Sequence, residues 1–535
     1  MKVDNAIILA AGRSQRFAPL TYEMPKGLFK VQGKVLIERQ IEQLREAGID
    51  DIYIVVGYMK EKFFYLEEKY GVHFVINNTF NNKGNINSLF AVKDVLKNSY
   101  ICCSDHYFVD NPFIEEPEYS YRACTYKEGK FREFAVDVSD IGVITDFHIG
   151  KEDSNCMIGH AFFSESFSKK FVELMEKEIN EFGIQNMFWE EFYGRHIHEL
   201  TMFAKFFDQN KVLEFNSITD LREFDKDFLI NIDSQIVRNI CNVLECGPND
   251  IKNIEIIQKG LTNVSFKFDV DGKTYVYRHP GGSAENIINR ESEVYSQNKA
   301  KELGIDKTLI HIDVQGWKIS HFIDDTVETD LEHNDKQLAQ VCEYLRILHS
   351  CDFEVVRYFD CVDEAKRLIG LACKTKGNLF EEFKDIIADV DRLKVFVKAD
   401  NFPDVLSHGD IYSPNYLFTR SGDIYMIDWE FSSVADIAND VSGMVTRYEL
   451  DDENVNRYLR AYFGRDLTFE EYRHFIGYFG IDSLYWLSWG LFKGSIFEDD
   501  GFFMLAAYKN CKRFCKAAFE MYEHPEKFKD WKFGQ

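Results

Sequence analysis

The residues best suited to chemistry lie in one stretch, Ser407 to Ser432, SHGDIYSPNYLFTRSGDIYMIDWEFS. It offers two carboxylates and an amide at fixed spacing. Asp410 follows His408-Gly409, Asn415 comes five residues later, and Asp428 ends an apolar run from Ile424 to Ile427. Phosphoryl transfer from ATP asks little covalent chemistry of a protein. It needs a carboxylate to orient the acceptor hydroxyl, and oxygen ligands to hold magnesium against the phosphates. Asp410 suits the first task, and Asn415 and Asp428 suit the second. To present them, the chain must fold as a strand running into a loop, a short strand at Leu417-Phe418, a turn at Ser421-Gly422 and a second strand that delivers Asp428.

A second constellation opens the chain. Val3 to Leu9 is an apolar run of strand length, followed by Ala10-Ala11-Gly12-Arg13-Ser14-Gln15-Arg16-Phe17. Small residues after a buried strand let the next turn bring backbone N–H groups close to phosphates. Arg16 and Lys26 can then neutralise the charge that develops during phosphoryl or nucleotidyl transfer. Residues 1–34 hold six Lys or Arg against two acids, in a chain whose net charge is −26, and this local reversal marks a polyanion site.

The elements that must carry these residues follow from pattern. A helix is expected over Val35–Ala47, a strand over Asp51–Val56, a helix over Met59–Lys69 and a strand over Val72–Asn77. Alternation at this spacing predicts a doubly wound parallel sheet. Tyr100 to Ser104 is a further buried strand ending in Asp105, at the sheet edge where ligands bind. Phe228–Cys246 reads as a helix, with apolar residues at Ile232, Ile236, Ile240 and Leu244. No Gly/Ser-rich linker follows, so two domains in direct contact are expected, 1–230 and 231–535. In the second, Ile251–Lys259, Val264–Val270 and Lys273–His279 alternate as an antiparallel sheet, placing Thr262 and Asn263 over ATP phosphates.

Composition excludes several classes. At 535 residues more than one core is expected, and 45% apolar content with 48 Phe favours packed globular domains. The acidic balance argues against general nucleic-acid affinity. No run of 18 apolar residues predicts a membrane span. Twelve Cys without a regular framework point to reduced thiols in a cytoplasmic enzyme.

The string Leu-Ala-Ala-Gly-x-Ser-x-Arg-Phe, then Pro-Leu-Thr and Pro-Lys, resembles the signature of nucleoside-triphosphate transferases. That resemblance implies an α/β Rossmann-like nucleotidyltransferase domain with Arg16 and Lys26 as catalytic cations, binding nucleotide through Ala10, Ala11 and Gly12. Lys34-x-Leu36-Ile37-Glu38, Val56-Gly57-Tyr58, Glu67-x-Lys69-Tyr70-Gly71 and Asn85-x-x-Ser88-Leu89 are similar to bacterial phosphocholine cytidylyltransferases. This closer likeness puts Asn85 and Ser88 near CTP and makes Asp105 a magnesium ligand. Asn216 falls where the family carries a second metal-binding Asp. An amide oxygen brings no charge, so weaker binding is expected, with Glu214 as possible compensation. For the ammonium of the substrate, aromatic faces beside carboxylates are needed, and Phe134, Trp189 and Glu190 are the candidates.

The stretch around Asp410 resembles the choline kinase and aminoglycoside phosphotransferase superfamily. It implies an α+β two-lobed protein-kinase-like domain. Arg278 stands where kinases usually carry a phosphate-binding Lys, and Glu291, on a helix near Ala284–Leu303, is its expected ion-pair partner. Asp440 or Asp436 is expected to anchor the helix beneath the site. Trp486 and Trp489, on one helix face, are expected to line an amine pocket, with Trp429 counted beside them. Together the two resemblances imply a bifunctional enzyme that phosphorylates choline with ATP and Mg2+, then joins phosphocholine to CTP. Ethanolamine or another amino alcohol as acceptor, or a catalytically weak nucleotide-binding first module, are the alternatives.

Overall fold

The computed structural model describes residues 1–259, 263–281, 288–376, 382–495 and 501–534. The chain divides into two compact units, Met1–Ile254 and Glu255–Gln535. Against an expected boundary near 230, residues 231–254 pack with the first unit. Glu23 accepts hydrogen bonds from the Ser234 hydroxyl and from Ile236 N, and Arg222 donates to Ile251 O at 2.6 Å and Asn249 O at 3.2 Å. Ser234 also breaks the expected long helix. Its hydroxyl caps Gln235–Leu244 by accepting from Val237 N, which leaves Phe228–Asn231 as a separate short turn of helix.

In the first unit a seven-stranded sheet runs, edge to edge, Phe203–Phe206, Tyr121–Val138, Ile144–Phe163, Ser99–Cys103, Asn5–Ala10, Ile52–Val56, His73–Ile76. The last four are parallel, as the alternating pattern predicts. Ile144–Phe163 is antiparallel to both its neighbours, so the sheet is mixed rather than wholly parallel. The strand Asn5–Ala10 shows why helices cover both faces. Ile7 and Leu9 join a core with Ile86, Leu89, Phe167 and Phe171, whereas Ala6, Ile8 and Ala10 join Ile37, Ile41, Leu44 and Leu66. A strand buried on both sides is apolar along its length, and this one is from Ala6 to Ala10, while the buried Asn5 at its start donates to Val95 O at 2.7 Å and accepts from Ser99 Oγ at 2.6 Å.

The second unit begins with a five-stranded sheet in the order Lys252–Lys259, Asn263–Val270, Lys273–Pro280, Lys318–His321, Leu309–Ile312, with one helix, Arg290–Glu302, between its strands in sequence. Residues 252–254 of its first strand fall before the unit boundary. A helical region follows, whose core gathers side chains from Asp335–His349, Cys361–Lys376, Glu382–Ala399, Asp452–Phe463, Phe469–Ser495 and Gly501–Glu523. Two small ribbons are set into it, Asp404–Ser407 against Ser433–Asp436 and Tyr416–Thr419 against Ile424–Met426. This is a two-lobed kinase-like architecture, and no helix among the described residues is long and apolar enough to cross a membrane.

Candidate active sites

The two ribbons of the second unit deliver the loop His408–Asn415 and the segment Ile427–Ser432. Gly409 has φ +78°, and a Cβ there would stand 2.4 Å from Phe431 O, so only glycine lets the two segments pass. Asp440, fully buried, ties the loop down. It accepts from Ser407 Oγ at 2.7 Å, His408 N at 2.9 Å, Gly409 N at 2.7 Å and His349 Nε2 at 3.0 Å. Burial alone would raise its pKa, but the His349 hydrogen bond and charge, with help from His408 and Gly409, hold it below the usual range. Asp436 instead caps Ala438 N and meets His474, so of the two candidates Asp440 is the one under the catalytic loop.

Asp410 and Asn415 meet directly: Asn415 Nδ2 donates to Asp410 Oδ2 at 2.8 Å and to its backbone oxygen at 3.0 Å. The other carboxylate oxygen is held by Arg447 Nη1 at 2.8 Å. Each oxygen keeps a further lone pair, so the carboxylate can still accept from a substrate hydroxyl. Asp428 adopts a left-handed φ of +68°, which Asp tolerates better than most residues, and its Oδ1 lies 3.5 Å from Arg278 Nη1.

Arg278 is buried, and its partner is Glu293, not Glu291. The helix starts at Arg290, capped by Asn289 Oδ1 accepting from Ser292 N at 2.9 Å, and this register turns Glu293 inward and leaves Glu291 exposed. Arg290 also reaches Glu293, at 2.7 Å. Asn263 donates to Glu430, and Thr262 lies outside the described residues.

The three tryptophans of the second unit's expected site are all buried. Trp429 is wholly buried, its indole N–H donating to Met426 O at 3.0 Å, so it is core and not pocket wall. Trp486 and Trp489 do share a face, with ring centroids 6.0 Å apart, yet both are buried and the guanidinium of Arg447 lies 3.9 Å over Trp486. Arg447 escaped the sequence reading, because no motif surrounds it and its partner is 37 residues away.

In the first unit, Lys26 Nζ donates to Asp105 Oδ2 at 2.8 Å and to Phe215 O at 2.7 Å, and Arg16 Nη1 donates to Asn216 Oδ1 at 3.0 Å. Four residues from three distant segments thus converge at the C-terminal edge of the parallel strands. Gly27 makes the approach possible, since a Cβ there would sit 2.6 Å from Ser104 Oγ. Burial raises the Asp105 pKa, but the charge and hydrogen bond of Lys26 outweigh it and keep the carboxyl ionised well below the usual range. Ala10 and Ala11 are buried as the strand ends, and Gly12 opens the exposed loop that carries Arg16.

Asn85 and Ser88 each hold a neighbouring segment in place. Asn85 Oδ1 accepts from Trp189 N at 2.8 Å, capping the helix Trp189–Arg195 rather than its own, and Ser88 Oγ accepts from Asn77 Nδ2 at 3.0 Å inside the core. Trp189 is 2% exposed, with Arg122 5.5 Å over its ring, and Phe134 packs on Phe147 and Phe188. Glu190 is 6% exposed. Arg122 Nη2 binds its Oε1 at 3.2 Å, while Oε2 has no hydrogen-bond partner.

Donor chemistry decides what a metal could use. Cys103, Asp105 and His106 bring ligand atoms within 4.8 Å of one another. Burial holds the Cys103 thiol protonated, and the neutral His106 imidazole is a nitrogen donor that suits softer metals, so the oxygens this cluster offers a hard cation are those of Asp105. The second ligand expected there, Asn216 Oδ1, faces Arg16. In the second unit Asp428 and the amide oxygen of Asn415 are oxygen donors beside Asp410, a set that suits magnesium.

Fold and sites define a two-part transferase, a nucleotidyltransferase unit followed by a kinase-like phosphotransferase unit. Residues 6–121 match the MobA-like NTP transferase domain, and residues 253–475 match the phosphotransferase enzyme family. Over 221 residues the chain is 34% identical to the choline-phosphate cytidylyltransferase of Streptococcus pneumoniae, covering 41% of this chain and 96% of that one. It is 35% identical over 231 residues to the 2-aminoethylphosphonate cytidylyltransferase of Lancefieldella rimae, covering 42% and 93%. A solved choline kinase, LicA from Streptococcus pneumoniae, superposes with a TM-score of 0.45 at 20% identity, covering 53% of this chain and 98% of that one. Through its first unit the chain belongs to the cytidylyltransferase family of these relatives.

Proposed function

We propose that the second unit phosphorylates choline with ATP and that the first joins the resulting phosphocholine to CTP, giving CDP-choline and pyrophosphate. The observation that carries this reading is the presence of two separate phosphate-handling centres in one chain, Asp410–Asn415 beside Asp428 and Arg278, and Arg16–Lys26 beside Asp105. In the kinase, Asp410 is pinned at both oxygens and orients the choline hydroxyl, while Arg278, held by Glu293, faces the ATP phosphates. In the transferase, Lys26 and Arg16 offset charge that builds on the CTP phosphates as phosphocholine attacks. Magnesium, held by Asp428 and Asn415 in one site and Asp105 in the other, would supply charge neutralisation at the phosphates.

The test is to feed the purified chain choline, ATP and CTP. CDP-choline and pyrophosphate are expected. Asp410→Ala should cut choline phosphorylation by about 10²–10⁴-fold and stop CDP-choline formation, and phosphocholine should restore it. Failure of phosphocholine to rescue the variant would sink the division of labour.

One observation favours a primary amine as the alternative substrate. The Oε2 of Glu190 is a buried acceptor without a donor, and a quaternary ammonium brings no N–H to it. Comparing kcat/KM for choline and ethanolamine in the kinase, and for their phosphates in the transferase, separates the two readings.

A further inference from the structure

Lys26 is gripped on both sides by the chain that leads out of the first unit. Just before it, the Glu23 carboxylate accepts from the Ser234 hydroxyl and, at 3.0 Å, from Ile236 N. These donors are the cap and first turn of the helix Gln235–Leu244, whose positive dipole end favours an anion. Just after it, Phe29 meets Phe228 with ring centroids 5.8 Å apart, and Gln32 N donates to Asp225 Oδ2 at 2.6 Å. Between the two grips Lys26 stands 3% exposed on the one-turn 3₁₀ helix Lys26–Leu28. So short a turn has too few hydrogen bonds of its own to fix its direction, and its neighbours must do so.

The partners of the two cations come from the same stretch, Phe215 O for Lys26 and Asn216 Oδ1 for Arg16. Residues 215–236 therefore close as a clasp over residues 16–32, and Glu23 is where the clasp ends. A shift of about 1 Å in a group that meets the reacting phosphates can cost up to about 10²-fold in rate. We propose that Glu23 is a positioning residue for nucleotidyl transfer, holding Lys26 in place against the helix Gln235–Leu244, so that the segment leading out of the first unit is a working part of its active site. The inference rests on the transferase reading above. Glutamine fits the same two partners. Its carbonyl accepts from Ile236 N, and its amide donates to Ser234 Oγ, which keeps a lone pair after accepting from Val237 N at 3.1 Å.

The test is steady-state nucleotidyl transfer by the full chain, with CTP and phosphocholine or phosphoethanolamine, whichever reacts faster. Kinase activity measures the amount of chain assayed. Glu23→Ala should lower kcat about 10- to 100-fold and leave KM for CTP within about twofold, because Lys26 acts on charge that builds during the transfer. Glu23→Gln should restore most of the loss. Ser234→Ala, which removes one of the two partners, should lower kcat to a smaller degree. In a Lys26→Ala background, Glu23→Ala should cost little more, since the group it positions is already gone. A Glu23→Ala chain with wild-type kcat, a Gln variant no better than the Ala variant, or an undiminished fold-loss in the Lys26→Ala background overturns the assignment and leaves the transferase reading standing. A wild-type chain that releases no pyrophosphate with either phosphate ester overturns both.

Discussion

The two candidate sites are built with opposite electrostatics. In the first unit Arg16 and Lys26 face a single carboxylate, Asp105, and an uncharged amide, Asn216. In the second, Asp410, Asp428 and Glu430 gather around Arg278 and Arg447. A centre rich in cations can stabilise transferred phosphates through its own side chains. A centre rich in carboxylates needs a metal to bring triphosphate in at all, because like charges would otherwise repel. The kinase site should therefore depend more steeply on magnesium than the nucleotidyltransferase site. Because both reside in one chain, each activity serves as an internal measure of the amount of chain assayed for a variant of the other.

The largest expected effect comes from removing a first-unit cation. Lys26→Ala should lower nucleotidyl transfer by about 10²–10³-fold while choline phosphorylation persists, measured as pyrophosphate and phosphocholine release from one preparation. Equal loss of both activities would mean the variant had misfolded, and no loss would remove Lys26 from the chemistry.

A smaller effect separates two glutamates two residues apart. Glu293→Gln leaves Arg278 with a neutral partner in a buried site and should reduce kinase kcat/KM for ATP by roughly tenfold, the equivalent of about 1.4 kcal/mol. Glu291→Gln, at an exposed position, should change nothing. If the two behaved alike, the register of Arg290–Glu302 would be in error.

The smallest effect sharpens the contrast itself. Asn216→Asp adds a charged oxygen beside Arg16 and Asp105, so the magnesium concentration giving half-maximal nucleotidyl transfer should fall several-fold. The kinase half-saturation should not move. A first unit whose magnesium dependence is unaffected would show that the second oxygen ligand lies elsewhere.

Much of this was legible in the sequence where function and chain order coincide. Asp410, Asn415 and Asp428 sit within nineteen residues on two ribbons, so pattern alone brings them together. The Ala10-Ala11-Gly12 turn and Lys26 were legible for the same reason. Glu293 was missed by a helix start, since a two-residue error on a helix turns a side chain through about 200°. The Asn289 cap before Ser292 was the signal that could have corrected it. The partners of Asn85 and Ser88, Trp189 N and Asn77, were not legible, because they come from separate loops.

What the sequence determined is local: alternating strands and helices, small residues where phosphates approach, and carboxylates spaced along single hairpins. Such features depend on backbone geometry over a few residues, which composition and periodicity encode directly. Tertiary structure decided which side chain faces which. It set Arg447 on Trp486 and Asp410, Asp440 beneath the loop, Trp429 in the core, and Asn216 against Arg16. Those pairings join residues tens to hundreds of positions apart, and their energies exist only once packing has excluded water and brought the partners within hydrogen-bond distance.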